Sequence, residues 1–283
     1  MAEISKSPFN YIGNKYRIIN EIQRFFPKRI NTMVDLFCGG CDVIINTDAQ
    51  IKIANDINYH VIDIYKAFQD KPEEIIKYID VTIEKWQLSK TNAKAYAAFR
   101  NYYNKTRNPL DLYVLMCYSF NYQFRFNSAH EYNNPFGKNR SSFNDTIRRN
   151  LEVFLKRIAD IQFSSLEFTQ VDLSFLGEGD FLYADPPYLL TCGSYNDGKR
   201  GFNGWSISDD LKLFEILTNL DKRGVKFALS NVIEHKGQTH SELIDWKKQN
   251  HYHLHNINFN YNNCNYHTDN KNNITKEILI TNY

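Results

Sequence analysis

The sequence predicts an α/β fold of the Rossmann-like kind, interrupted by a mostly helical insertion. Three observations carry this reading. Short apolar runs ending at Gly or Asp recur in residues 1–70 and again in 158–283. A glycine turn, Cys38-Gly39-Gly40, follows directly on the first of them. Between them, residues 71–157 show apolar positions mainly at three- and four-residue spacing, the period of a helix.

Taken in order, Tyr16 to Phe26 has helical spacing and stops at Pro27, so a helix is expected after the loop Tyr11-Ile12-Gly13-Asn14-Lys15. Thr32 to Phe37 reads as a buried strand running into the glycines, which should open a helix as in nucleotide-binding α/β units. Ile51 to Ala54 is the next strand, stopping at Asn55-Asp56, with a helix from about Ile57 to Phe68. Pro72 to Trp86, Ala93 to Tyr103 and Pro109 to Phe120 then read as three helices. Residues 121–144 are polar, aromatic and rich in Asn, a long loop or hairpin of the length that usually carries function. A helix near Asp145 to Asp160 follows, then strands at Glu167 to Val171 and Phe181 to Ala184. A helix at Leu211 to Leu220, a strand at Val225 to Leu229 and a helix at Ser241 to Lys248 come next. Strands at Tyr252 to Phe259 and Glu277 to Thr281, joined by an Asn-rich loop, close the chain.

A chain of 283 residues with 42% hydrophobic content can bury one substantial core. Apolar runs such as Leu112 to Cys117 fall short of the roughly 20 residues that cross a bilayer, and Met1 to Arg17 lacks the apolar centre of a signal peptide. Five cysteines, an odd number, suit a reducing cytoplasm. Cys38 and Cys41 have C-x-x-C spacing, but a zinc ribbon needs a second such pair. His251, His253 and His255 alternate as on a solvated edge strand, so no metal is expected. Charge is uneven: residues 94–157 hold eleven basic and four acidic side chains, a net of +7, leaving −5 for the remainder. A basic lobe of this kind is the electrostatic footprint of a nucleic-acid surface.

Asp185-Pro186-Pro187-Tyr188 follows the strand Phe181-Leu182-Tyr183-Ala184. The carboxylate therefore sits at the carboxyl end of a strand, where ligands bind in open α/β sheets. Two prolines fix φ and remove two backbone donors, so the turn presents carbonyls and a rigidly placed acid. A carboxylate plus one carbonyl can accept both N–H groups of an exocyclic amine, and Tyr188 offers a face on which an unstacked base can lie.

That tetrapeptide resembles the D-P-P-Y signature of amino-methyltransferases, and the chain resembles the Dam-type, D12 class (alpha group) of adenine-N6 DNA methyltransferases over nearly its whole length. Tyr11-Ile12-Gly13-Asn14-Lys15 resembles the family's N-terminal cofactor segment, Asp35-Leu36-Phe37-Cys38-Gly39-Gly40 its glycine loop and Asn55-Asp56-Ile57-Asn58 its N-D-x-N segment. Arg125-Phe126-Asn127 with Asn134-Pro135-Phe136-Gly137-Lys138 resembles its target-recognition hairpin, and Glu277 to Tyr283 its closing strand. One departure stands out: many members have F-x-G-x-G, and here Cys41 occupies the second glycine's position.

The resemblance implies an S-adenosylmethionine-dependent methyltransferase fold, with residues 1–70 and 158–283 catalytic and 71–157 a target-recognition domain. It implies Asp185, Pro186, Pro187 and Tyr188 as the catalytic turn. Cofactor contacts would come from Tyr11, Lys15, Asp35, Phe37, Gly39, Gly40, Asp56, Asp172, Leu173, Asp185 and Tyr195. DNA contacts would come from Phe120, Tyr122, Arg125, Asn127, Asn134, Pro135, Lys138, Asn139 and Arg140, with Phe124 and Phe126 as further aromatic candidates. Arg125 or Arg140 suits guanine, and Asn127 or Asn134 suits adenine. The implied reaction methylates N6 of an adenine flipped out of double-stranded DNA, within a GATC or GAT-containing site, by a monomer or weak dimer paired with a restriction endonuclease. An N4-cytosine or RNA amino-methyltransferase would share the catalytic turn, and a DNA-binding protein with a vestigial fold is the non-enzymatic alternative.

Overall fold

The computed structural model describes residues 4–191, 204–257 and 275–283. Among these, eight strands build one sheet: β1 (Thr32–Asp35), β2 (Ile51–Asn55), β3 (Ile161–Ser164), β4 (Phe181–Ala184), β5 (Lys226–His235), β6 (Gln238–Thr239), β7 (His253–Asn256) and β8 (Thr275–Thr281). Their order is β3-β2-β1-β4-β5-β8-β7, with β6 paired to β5. The five strands from β3 to β5 run parallel, and β8 and β7 add on antiparallel.

Parallel strands covered on both faces should be apolar at every position, and β1 and β4 are buried throughout. Met33, Phe181 and Tyr183 point into one core, and Val34, Leu182 and Ala184 into the other. The second core is closed by α7 (Ile207–Lys222) and α8 (Ser241–Gln249). α7 opens with a capping box in which the Ser206 hydroxyl accepts from Asp209 N and the Asp209 carboxylate accepts from Ser206 N. The first core is closed by α2 (Tyr59–Asp70), α3 (Ile75–Trp86), α4 (Ala93–Thr106), α5 (Pro109–Cys117) and α6 (Asp145–Ile158). Helices of the insertion thus share one continuous core with the sheet. Phe154 and Ile158 of α6 are buried with Tyr65 and Phe68 of α2, and Arg157 donates to the carbonyl of Ile45 at 2.9 Å.

Several expectations are corrected. The helix read at Tyr16 to Phe26 is a five-residue α1 (Ile19–Gln23), because Ile18 at its N-cap makes no side-chain capping bond and Pro27 blocks the other end. The glycine turn opens no α-helix, only a 3-10 turn at Ile44–Asn46. Nine residues separate Cys41 from β2, and Asn46 is drawn sideways by hydrogen bonds to Ser5. Glu167 to Val171 is not a strand: a 3-10 turn occupies Phe168–Gln170, and the third parallel strand is β3, directly after α6. The Asn55 side chain ends that strand by bonding both the N–H and the carbonyl of Leu166, at 3.0 and 2.9 Å. His253 and His255 lie on edge strand β7, where His255 stacks on Phe25 at 4.0 Å, while His251 falls outside the strand in a left-handed conformation. No helix among the described residues is long and apolar enough to cross a membrane.

Candidate active site

From β1 the chain order runs outward to β2 and β3, and from β4 it runs the other way to β5. The crevice beyond β1 and β4 is therefore a topological switch point, where open α/β sheets bind ligands. A cavity of about 670 Å³ lies there, within the size range of small-molecule sites. Asp35 ends β1, Asp56 follows β2 and Asp185 follows β4, and all three line it.

Asp185 Oδ2 pairs with Lys15 Nζ at 2.7 Å, and its Oδ1 accepts from the Tyr188 hydroxyl at 2.8 Å. The same phenol oxygen is 3.0 Å from Glu277 Oε1, and Lys15 Nζ is 3.5 Å from that oxygen. Lys15 also donates to the Gly13 carbonyl at 3.0 Å and lies over the Tyr188 ring. Burial raises the Asp185 carboxyl above the ordinary carboxylate range, opposed by the Lys15 ammonium. Asp35 is raised further, by burial first and then by the charges of Asp185 and Asp56. Its Oδ1 is buried with no hydrogen-bond partner among the described residues, an acceptor left available at the cavity wall.

The glycine loop is held from below. Cys38 N donates to Asn55 O at 2.8 Å, Gly39 N to Asp56 Oδ2 at 2.8 Å, and the Tyr65 hydroxyl to Gly39 O at 2.7 Å. Asp56 Oδ1 accepts from Asn58 N at 2.8 Å, so the carboxylate is fixed at the end of β2. Tyr11 packs across the loop so closely that a Cβ on Gly39 would lie 2.9 Å from its ring, and one on Gly40 3.1 Å from its Cβ. Cys41 has φ of 64°, the left-handed region that favours glycine, which accounts physically for the glycine that many family members carry there. Burial pushes the Cys38 and Cys41 thiols up, so both are protonated fillers rather than reactive groups.

At the far end of the cavity Phe37, Phe168 and Trp205 form an aromatic trio with ring centroids 5.3–5.6 Å apart. Sequence reasoning found Phe37 and missed Phe168 and Trp205, along with Leu166 and Glu167 beside them. Asp172 and Leu173, the expected residues of this segment, do not line the cavity. Asp172 is exposed and accepts from Ser174 N at 2.9 Å, and Leu173 packs into the second core. The cause is the earlier end of β3, which brings 166–168 to the rim; the apolar-polar alternation of Ile161 to Ser164 was the available signal. Tyr195 lies outside the described residues.

The recognition segment is an ordered loop with two isolated bridges, Ser119 to Phe136 and Phe126 to Tyr132, rather than a regular hairpin. Asn10 Nδ2 donates to Asn121 O at 2.8 Å, tying it beside Tyr11 and the cavity. Phe120 is 44% exposed, and Arg125, Pro135, Lys138, Asn139 and Arg140 are exposed. Tyr122 is half-buried, its hydroxyl bonded to the Arg140 carbonyl. Asn134 is a correction: it is buried, and its Nδ2 donates to both Phe120 O and Gln123 O, so it staples the loop instead of facing a base. Asn127 is likewise engaged, with both its amide groups bonded to Glu131. Phe126 is buried and stacked on His60, and Phe124 stacks on Phe9. Part of the basic excess is scaffold as well: Arg100 and Arg107 donate to the carbonyls of Asn134 and His130.

Residues 11–263 match the family model described as D12 class N6 adenine-specific DNA methyltransferase. The chain is 47% identical over 281 residues to the modification methylase StsI of Streptococcus sanguinis, and equally to the type II methyltransferase M.FokI of Planomicrobium okeanokoites. Each alignment takes in 98% of this chain and 43% of the relative, so the chain spans less than half the length of these two proteins. It is also 26% identical over 225 residues to the DNA adenine methylase of Escherichia coli K12, covering 78% of both. With a model match over most of its length and the D-P-P-Y turn at the switch-point cavity, the chain belongs to the D12 class N6 adenine-specific DNA methyltransferases.

Proposed function

We propose that this chain transfers a methyl group from S-adenosylmethionine to N6 of an adenine flipped out of double-stranded DNA. The observation that carries the reading is the proline-fixed Asp185, at the wall of a cavity whose other walls suit that cofactor. Gly39 and Gly40 let the loop backbone lie against Tyr11 at the cavity wall where a Cβ would clash, and Asp35 Oδ1, without a partner among the described residues, suits an ammonium. Asp56 is placed to accept from ribose hydroxyls, and Phe37, Phe168 and Trp205 would hold an aromatic ring. When bound, S-adenosylmethionine supplies an electrophilic sulfonium methyl.

The chain's own residues do the rest. An adenine must leave the duplex to reach the cavity. Asp185 would accept one N6 hydrogen and the Pro186 carbonyl the other, steering the nitrogen lone pair, while Pro187 stiffens the turn and Tyr188 stacks on the ring. Lys15 offsets the buried charge of Asp185, which takes the proton that N6 sheds once methylated. Residues 71–157 would recognise the target, with Phe120, Tyr122, Arg125, Pro135, Lys138, Asn139 and Arg140 toward DNA. A GATC or GAT-containing site, action as a monomer or weak dimer, and pairing with an endonuclease are part of the proposal. The last is supported by relatives named as modification methylases.

Incubation with duplex DNA and methyl-labelled cofactor, followed by digestion to nucleosides, tests the proposal. Label in N6-methyladenine is the expected result. Label in N4-methylcytosine, or transfer to RNA alone, would overturn it.

A further inference from the structure

Both oxygens of Asp185 are already engaged, Oδ2 by Lys15 at 2.7 Å and Oδ1 by the Tyr188 hydroxyl at 2.8 Å. An incoming N6–H would share Oδ1 with that phenol, and an oxygen that already accepts one hydrogen bond is a weaker acceptor for a second. Glu277, on β8, brings a second acceptor to the same phenol oxygen at 3.0 Å. A phenol carries one hydrogen, so its bond goes to Asp185 or to Glu277, never at full strength to both.

Glu277 is 7% exposed, does not line the cavity and so cannot meet the base itself. Its carboxylate lies in the interior close enough to Asp185 for its charge to raise the Asp185 carboxyl, after burial has done so. A residue serving packing alone would be better apolar there, as its neighbours Ile278, Leu279 and Ile280 are. The two acceptors lie within 3.0 Å of one oxygen, so moving the hydrogen from one to the other needs only rotation about the Tyr188 C–O bond. The ring stays where a base can stack on it. Lys15, 2.7 Å from Asp185 and 3.5 Å from Glu277, bridges the pair in either arrangement.

We propose that Glu277 is a positioning residue: it takes over the Tyr188 hydroxyl when the target base enters, and so frees Asp185 Oδ1 to accept from N6. The inference rests on the adenine methylation proposed above.

The test is single-turnover methylation of a duplex oligonucleotide at saturating cofactor by wild type, E277A, E277Q, Y188F and the E277A/Y188F double variant. E277A should slow the step on the order of 10- to 100-fold, with affinities for cofactor and DNA, measured by calorimetry and fluorescence anisotropy, held within a few-fold. E277Q keeps an acceptor oxygen and should recover most of the rate. The double variant has no hydroxyl to compete for Asp185 and should match Y188F alone. E277M fills the same space and carries the same expectation should E277A not fold. Wild-type turnover by E277A, or a double variant slower than Y188F by the full E277A factor, would overturn the inference while leaving the methylation reading intact. Wild-type protein that labels no adenine would instead sink that reading.

Discussion

Replacing Gly39 with alanine tests the cofactor loop at its tightest point. Gly39 has φ of +45°, and an added Cβ would lie 2.9 Å from Tyr11 Cδ1 and 3.0 Å from Cε1. A left-handed residue with a Cβ costs about 1–2 kcal/mol, and overpacking against the ring adds at least about 1 kcal/mol. A combined cost of at least about 2 kcal/mol lowers the melting temperature of a chain this size by at least about 3 °C. Because Tyr11 walls the cavity, its displacement should also weaken cofactor binding by about tenfold or more, which is roughly 1.4 kcal/mol. Gly177→Ala is the control, since a Cβ there meets nothing within 4 Å. Differential scanning calorimetry and titration with S-adenosylhomocysteine read the two effects. If Gly39→Ala melts with the control and binds as wild type does, the Tyr11 contact does not shape the pocket.

Two further outcomes are expected. Burial pushes the Asp42 carboxyl up to about 6 from 3.8. A raised folded-state value stabilises the fold fully below the unfolded value, and that contribution is lost as pH rises through about 6. Asp42→Asn, which keeps an acceptor for Ser7 N, should therefore be more stable than wild type at pH 8 by on the order of 2–3 kcal/mol and nearly equal to it at pH 4, as thermal melts across that range would show. Asn134→Ala leaves two loop carbonyls without their shared donor and should cost about 1–3 kcal/mol, with DNA affinity lost and cofactor affinity kept; equal loss of both would show that the loop is not a separate DNA element.

The catalytic end of the sheet was legible because β1, β2 and β4 each stop on residues with a plain local meaning: Asp35 before glycines, Asn55-Asp56, and Asp185 before two prolines. What stayed hidden depends on distant partners. β3 follows α6 with no Gly or Pro between them, so its start carries no punctuation, and the error displaced the expected contacts to Asp172 and Leu173. Trp205 reaches the cavity because its indole N–H is held by the buried Asp210, itself 2.9 Å from His240, three residues that no local pattern connects. Asn134 reads as a solvent-facing amide in a polar loop, and only the packing of that loop reveals it as a staple. Glu277 passed as one position of a closing strand, since its meaning lies in where Tyr188 comes to rest.

Asp185→Ala, assayed for single-turnover methyl transfer alongside cofactor binding, bears most directly on the central assignment. Loss of labelled N6-methyladenine with cofactor affinity retained is the outcome the carboxylate's position predicts. Transfer at the wild-type rate would mean that some other group holds the amine, and the assignment of the D-P-P-Y turn would be wrong.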